Sequence, residues 1–219
     1  MASKQLISTI DGELCWREGE LAIAKLHLHK SLIDRMAFAY SYRCIVMLTY
    51  AHYEAFSKRI IAQAMQDIFT SGIRWSECCD SIIVNLFANR LRQNLSSLSN
   101  KELSACAIKS LCLVDDLPPP DASMILDCGN LNNQNFDWAL GCVGVDPTKF
   151  SYARRDIGRI VALRHDCAHG EQLTFDTTKS NADLAADIFQ LQSSIILLMH
   201  ALAVEIIDLF ERSGYKRVP

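Results

Sequence analysis

The sequence predicts an all-α fold, an antiparallel bundle of helices. Three observations carry this. Half of the 219 residues are hydrophobic while only 8% are aromatic, and abundant Ala, Leu and Ile favour helices over sheets. Nine glycines and five prolines leave few turn-formers. Apolar residues recur every three to four positions over long stretches, the period of a helix with one buried face.

Taken in order, Glu13 to Asp34 reads as a first helix, with Leu14, Leu21, Ala24, Leu28 and Leu32 on one face. Arg35 to Phe69 reads as a long second helix, either continuous with the first or broken near Ser31, and Ser71-Gly72 stops it. Its stripe is Ile45, Leu48, His52, Ala55, Phe56 and Ile60. Ser76 to Leu95 carries a weaker helical pattern. Ser99-Asn100-Lys101-Glu102 matches a capping box before a short helix through Leu103, Ala107, Ile108 and Leu111. Pro118-Pro119-Pro120 cannot continue a helix. Roughly residues 116–147, with four asparagines between Asn130 and Asn135, read as a small irregular insertion decorating the core. One helical turn is expected there, over Phe136 to Cys142. Asp146-Pro147 then caps a helix from Thr148 to Ala168, and Gly170 ends it. The last helix begins near Asn181 and runs to about Ser213, with a seam from Leu184 to Leu209. No second domain-sized core is visible, so residues 1–219 are expected to form a single domain.

Composition narrows the function. Net charge is −3 and the pI about 6.1, which argues against a protein that coats duplex DNA and leaves room for a local basic patch. The nine cysteines include no CxxC spacing and read as free thiols of a reducing compartment. Met1 to Asp11 lacks the apolar core of a signal peptide. The most apolar stretch, Ser193 to Phe210, contains His200, Glu205 and Asp208, so no membrane-spanning segment is expected. A cytoplasmic protein is the expectation.

The chemistry concentrates in Arg164-His165-Asp166-Cys167-Ala168-His169-Gly170. Arginine grips a phosphodiester with a planar fork of donors, and histidine moves protons near neutral pH. RNA cleavage by the ribose 2′-OH needs a base, an acid and a charge stabiliser, with no metal or other cofactor. On an ideal helix, Arg164 and His169 lie about 140° apart; they converge if the helix ends near His169. The spacing alone is weak. Thirteen arginines and six histidines produce an Arg-to-His gap of this kind about once by chance, and Arg159 with His165 is another instance.

The run Ile160 to Glu171 resembles the Arg-polar-x-x-x-His motif of HEPN domains, in which an apolar run precedes the Arg and His-Gly closes the motif. Leu48-Thr49-Tyr50-Ala51-His52-Tyr53-Glu54-Ala55-Phe56 resembles the second helix of a bacterial HEPN branch, and Trp16-Arg17-Glu18-Gly19-Glu20-Leu21 resembles it less specifically. The resemblance implies a HEPN-like antiparallel bundle and a metal-independent endoribonuclease acting on RNA such as tRNA. It further implies a homodimer with a composite active site, and a toxin or anti-phage role beside an antitoxin or defence-system partner. Arg164 and His169 match the catalytic positions. His165 stands where Asn is common, and Glu54 matches a polar position suited to orienting Arg164. Gly170-Glu171 lacks the His-x-Tyr ending of HEPN toxins controlled by a nucleotidyltransferase, so that control is not expected.

Other readings exist for the same residues. Arg164 and His169 could form a purely structural helix cap, and Glu54 suits an ion pair with Lys58 equally well. Arg154, Arg155 and Arg159 could extend a phosphate-binding strip or simply face solvent. A zinc site from His165, Cys167 and His169 lacks a fourth ligand. A Cys167 nucleophile has no oxyanion signature beside it. A non-catalytic domain that binds RNA, nucleotide or a partner protein is the alternative to a nuclease.

Overall fold

The computed structural model describes residues 4–86, 115, 118–169, 175–176 and 178–217. Its helices are α1 (Lys4–Lys30), α2 (Arg35–Thr70), α3 (Ser123–Leu126), α4 (Asn133–Gly141), α5 (Arg154–Ala168) and α6 (Asn181–Glu211). Residues 80–86 are also helical. The described residues contain no strand, only one isolated bridge between Cys78 and Lys216. The capping box at 99–102, the helix expected through Leu103 to Leu111 and the stop at Gly170 lie outside the described residues.

The break between the first two helices falls at residues 31–33. Asp34 causes the restart: its carboxylate accepts from the N–H groups of Met36 and Ala37 at 2.8 and 3.1 Å. An N-cap of this kind stabilises a helix by about 1 kcal/mol. The chain therefore reverses, and α1 runs antiparallel to α2. Two contacts show the register, Glu13 with Arg59 and Glu20 with His52.

At 36 residues, α2 is the axis of the bundle and touches α1, α3, α4, α5 and α6. Phe38, Ile45, Tyr53, Phe56, Ile60 and Ile61 are fully buried along it. On α6, Ile188, Leu191, Ile195, Leu198, Leu202 and Ile206 are buried, so its apolar seam is core. By length and composition alone α6 could cross a membrane. It lies antiparallel to α1, with Asn181 bonded to Leu32 O and Gln192 to Leu21 O.

The segment read as an irregular insertion is more ordered and more buried than expected. It contributes α3 and α4, and Ile125, Leu131, Phe136, Leu140, Cys142 and Val143 are each 1% exposed or less. Phe136 sits between Tyr53 and Phe150. The asparagines that suggested a loop serve as caps and clamps. Asn132 accepts from Asn135 N–H, Asn135 donates to Asn130 O, and Asn133 donates to Arg154 O. Gly144 closes the segment at φ +85°, where an added Cβ would also meet Cys79 Sγ at 2.8 Å.

Ahead of α5, residues Pro147–Ala153 form a 3₁₀ turn, capped by Asp146 on Thr148 N–H. The expected helix from Thr148 is thus wound tightly in its first two turns.

Candidate active site

Three residues fix how α5 sits. Ile157, Ile160 and Cys167 are buried, and they define the face turned to the core. Arg164 is four positions after Ile160 and seven after Ile157, so the helix period draws it to that same face. Its guanidinium carbon lies 5.2 Å from the centre of the Tyr50 ring on α2. Arg164 is half-buried, and no carboxylate among the described residues pairs with it.

Tyr50 is itself tied down. Its hydroxyl accepts from Leu131 N–H at 3.1 Å, and Glu54 Oε1 accepts from the same N–H at 3.1 Å. Burial first, then the Glu54 charge, pushes the Tyr50 phenol up to about 12, against the lowering effects of the Leu131 N–H and Arg164. Tyr50 thus stays neutral and offers Arg164 an aromatic face. Glu54 forms the ion pair with Lys58 at 3.1 Å. The side chain beneath Arg164 is therefore Tyr50, and the ion-pair partner of Glu54 is Lys58 rather than Arg164.

The two histidines lie nearer solvent. His165 and His169 are one turn apart, exposed, and their ring centres are 4.2 Å apart. His165 Nδ1 is 3.9 Å from Asp166 Oδ1. The helix ends at Ala168, and His169 keeps near-helical angles (φ −81°, ψ 4°) with its N–H on His165 O. Among the described residues, no hydrogen bond or ring contact joins Arg164 to His169 directly. Each keeps its own partner, His165 for His169 and Tyr50 for Arg164.

Sequence reasoning missed Arg43. It reaches from α2 to donate an Nη1 hydrogen bond to Cys167 O at 3.1 Å. A cation on the terminal carbonyls of α5 complements the negative end of the helix dipole. Arg43 thus fills the capping role considered for His169. The available signal was its position, seven residues before Tyr50 and hence on the same face of α2. Cys167 is buried, and burial pushes its thiol up, which suits packing rather than nucleophilic attack.

The three upstream arginines divide. Arg154 is bound to Asp137 at 2.6 Å and clamps α5 to α4. Arg155 and Arg159 line an open groove of about 430 Å³ between α5 and α6. Among the described residues, no three His, Cys, Asp or Glu side chains are grouped as metal ligands.

An all-α bundle with an Arg-x4-His motif at the end of its penultimate long helix defines the class. The family model described as HEPN_MAE_28990-like HEPN matches residues 6–215. The chain belongs to the HEPN superfamily. Searches of curated proteins and of solved structures return no match.

Proposed function

We propose that the protein is a metal-independent endoribonuclease whose working site is completed by a second copy of the same chain. The observation that carries this is the state of the motif. Arg164 is held at the helix end without a carboxylate partner among the described residues, beside two exposed imidazoles 4.2 Å apart. A group paired to a carboxylate would have little charge left for phosphate; Arg164 keeps its own.

His169 exchanges the proton and Arg164 binds the phosphate. A base removes the proton of the ribose 2′-OH, whose oxygen attacks the adjacent phosphorus. The bond to the 5′ oxygen breaks, and an acid protonates that oxygen. Products are a 2′,3′-cyclic phosphate and a 5′-OH. His165, packed against His169 with the rings tilted by 46°, is a second proton carrier or sets the ring's orientation.

Two features support the dimer. In one chain Arg164 contacts Tyr50 while His169 contacts His165, and an apposed second motif would add a further arginine and histidine to the same cleft. Also, Met36, Tyr40 and Met47 are 83%, 72% and 36% exposed, and they lie on the face of α2 that carries Arg43 and Tyr50. An apolar stripe of this kind marks an interaction surface, and its burial by a second copy would bring the two motifs close.

In a cell, such an enzyme would act in the cytoplasm on RNA such as tRNA, as a growth-arresting toxin or anti-phage effector held in check by a partner protein. The lack of a direct contact between Arg164 and His169 among the described residues favours one other reading, a binding domain that does not cut. The deciding experiment incubates purified protein with total RNA in EDTA, beside Arg164→Ala and His169→Ala. Cleavage by the parent alone is expected. Equal cutting by both variants would sink the assignment of the site. An end to cleavage in EDTA would sink the metal-free mechanism, and no cleavage by the parent in any buffer would favour the binding domain.

A further inference from the structure

The groove between α5 and α6 lies outside the motif and carries an uncompensated positive charge. Arg155, Asp156 and Arg159 form one wall, and Lys179, Asp187 and Gln190 are on the other side. Leu191, 1% exposed, is its apolar floor. Lys179 Nζ is 2.6 Å from Asp187 Oδ2, so that carboxylate is already neutralised. Arg155 and Arg159 are exposed and one turn apart, and no carboxylate among the described residues lies within ion-pair distance of either. Elsewhere Arg17, Arg59, Arg74, Arg154, Arg212 and Arg217 each sit against one. Two adjacent like charges on a helix repel by a few tenths of a kcal/mol, a cost that a bound anion reverses.

The groove also points the right way. On the α5 helix, Arg155 and His169 are about 40° apart in angle, and Arg159 is about 15 Å from His169 along the axis. His169 is thus on the groove's flank, whereas Arg164 is not. A span of that length holds a few nucleotides of extended strand. The trough is open and about 430 Å³, within the range of roughly 300–1,000 Å³ typical of ligand sites, and guanidinium forks suit phosphate oxygens.

We propose that this groove binds the phosphates of single-stranded RNA a few nucleotides away from the bond cut at His169. The proposal rests on the ribonuclease reading above and adds the part of the substrate that the chain grips. Arg155 and Arg159 hold consecutive phosphates, and Gln190 faces the strand from α6.

The test measures binding of a fluorescent single-stranded RNA oligonucleotide to the full chain carrying His169→Ala, across a salt series. Adding Arg155→Ala and Arg159→Ala should weaken binding at least tenfold. It should also flatten the slope of log affinity against log salt by about 1.4, the value for two single-strand phosphate contacts. Arg155→Lys with Arg159→Lys should restore most of that slope, which a folding defect would not allow. Arg212→Ala, an exposed arginine elsewhere, should change neither quantity. In the cutting background, the double Ala variant should raise KM and leave kcat within about twofold. If the His169→Ala chain binds RNA and the double variant binds it equally well, the groove is not the subsite, and the nuclease reading stands. If a free mononucleotide competes as well as the oligonucleotide, the RNA-strand assignment fails. If the His169→Ala chain binds no RNA, both readings fail together.

Discussion

Arg17 and Arg164 are both arginines set on an aromatic ring, yet they are opposites. Arg17, on α1, is 4% exposed. Its guanidinium carbon is 4.3 Å from the Trp16 ring centre, and it pairs with Glu13, which is shared with Arg59. His52 Nδ1 closes the cluster at 3.2 Å. Arg164 has the ring and no carboxylate among the described residues. The charge of the first arginine is balanced within the fold; that of the second has no carboxylate against it among the described residues. The bare pairing of arginine with an aromatic ring therefore does not mark a functional site. Counter-charge and access to solvent decide it.

Substitutions at the two sites should separate activity from stability. The largest effect is expected for His169→Ala, a loss of about 10²- to 10⁴-fold in RNA cleavage with an unchanged melting temperature, since the ring is exposed. Cleavage rates with thermal unfolding on the same preparations would check this, and an unaltered rate removes His169 from the mechanism. Arg17→Ala should behave in reverse. It removes a buried side chain and leaves the part-buried Glu13 with Arg59 alone, which should cost about 1–3 kcal/mol of stability, while the folded fraction keeps its cleavage rate. A stable Arg17→Ala protein would show that the cluster contributes little to the fold.

The contrast also explains what the sequence could and could not convey. The four long helices were legible because each buries a stripe of apolar residues at helical spacing. Residues 118–147 were not, because α3 and α4 have only four and nine residues. Too few turns exist there for periodicity to register, and asparagine caps look like loop residues. Within the candidate site, the sequence places Arg164, His165 and His169 together at the end of one helix. What lies beneath Arg164 was not legible, because it depends on α2. Tyr50 displaces Glu54 as the residue beneath Arg164, and Arg43 bonds a carbonyl 124 positions away. Contacts of that kind leave no mark in local spacing.

Tyr50 offers a finer cut at the same comparison. Tyr50→Phe keeps the ring under Arg164 and loses the hydroxyl's bond to Leu131 N–H, which Glu54 also accepts. Tyr50→Leu removes the ring. A cation–π contact contributes about 0.5–2 kcal/mol, so the Leu variant should cut RNA roughly 2- to 30-fold more slowly than the Phe variant. Equal rates would mean that the ring does not position Arg164.

The smallest effect is a pH dependence confined to the structural cluster. Burial lowers the pKa of His52 from its ordinary 6.5; Glu20 works against this, and Arg17 works with it. His52 Nε2 is 2.7 Å from Glu20 Oε2 but outside hydrogen-bond geometry, so the carboxylate offsets burial only in part. A folded-state pKa below the unfolded one means that the unfolded chain binds the proton more readily. The contribution is complete above pH 6.5 and is lost as pH falls through the lowered folded value. Urea midpoints at pH 7.5 and pH 5.5 should therefore drop on acidification, and by less in His52→Gln, which cannot titrate. All other residues are identical in the two proteins, so the difference between the two slopes isolates His52. Identical slopes would mean that the imidazole is as easily protonated in the fold as in the unfolded chain, with Glu20 balancing burial in full.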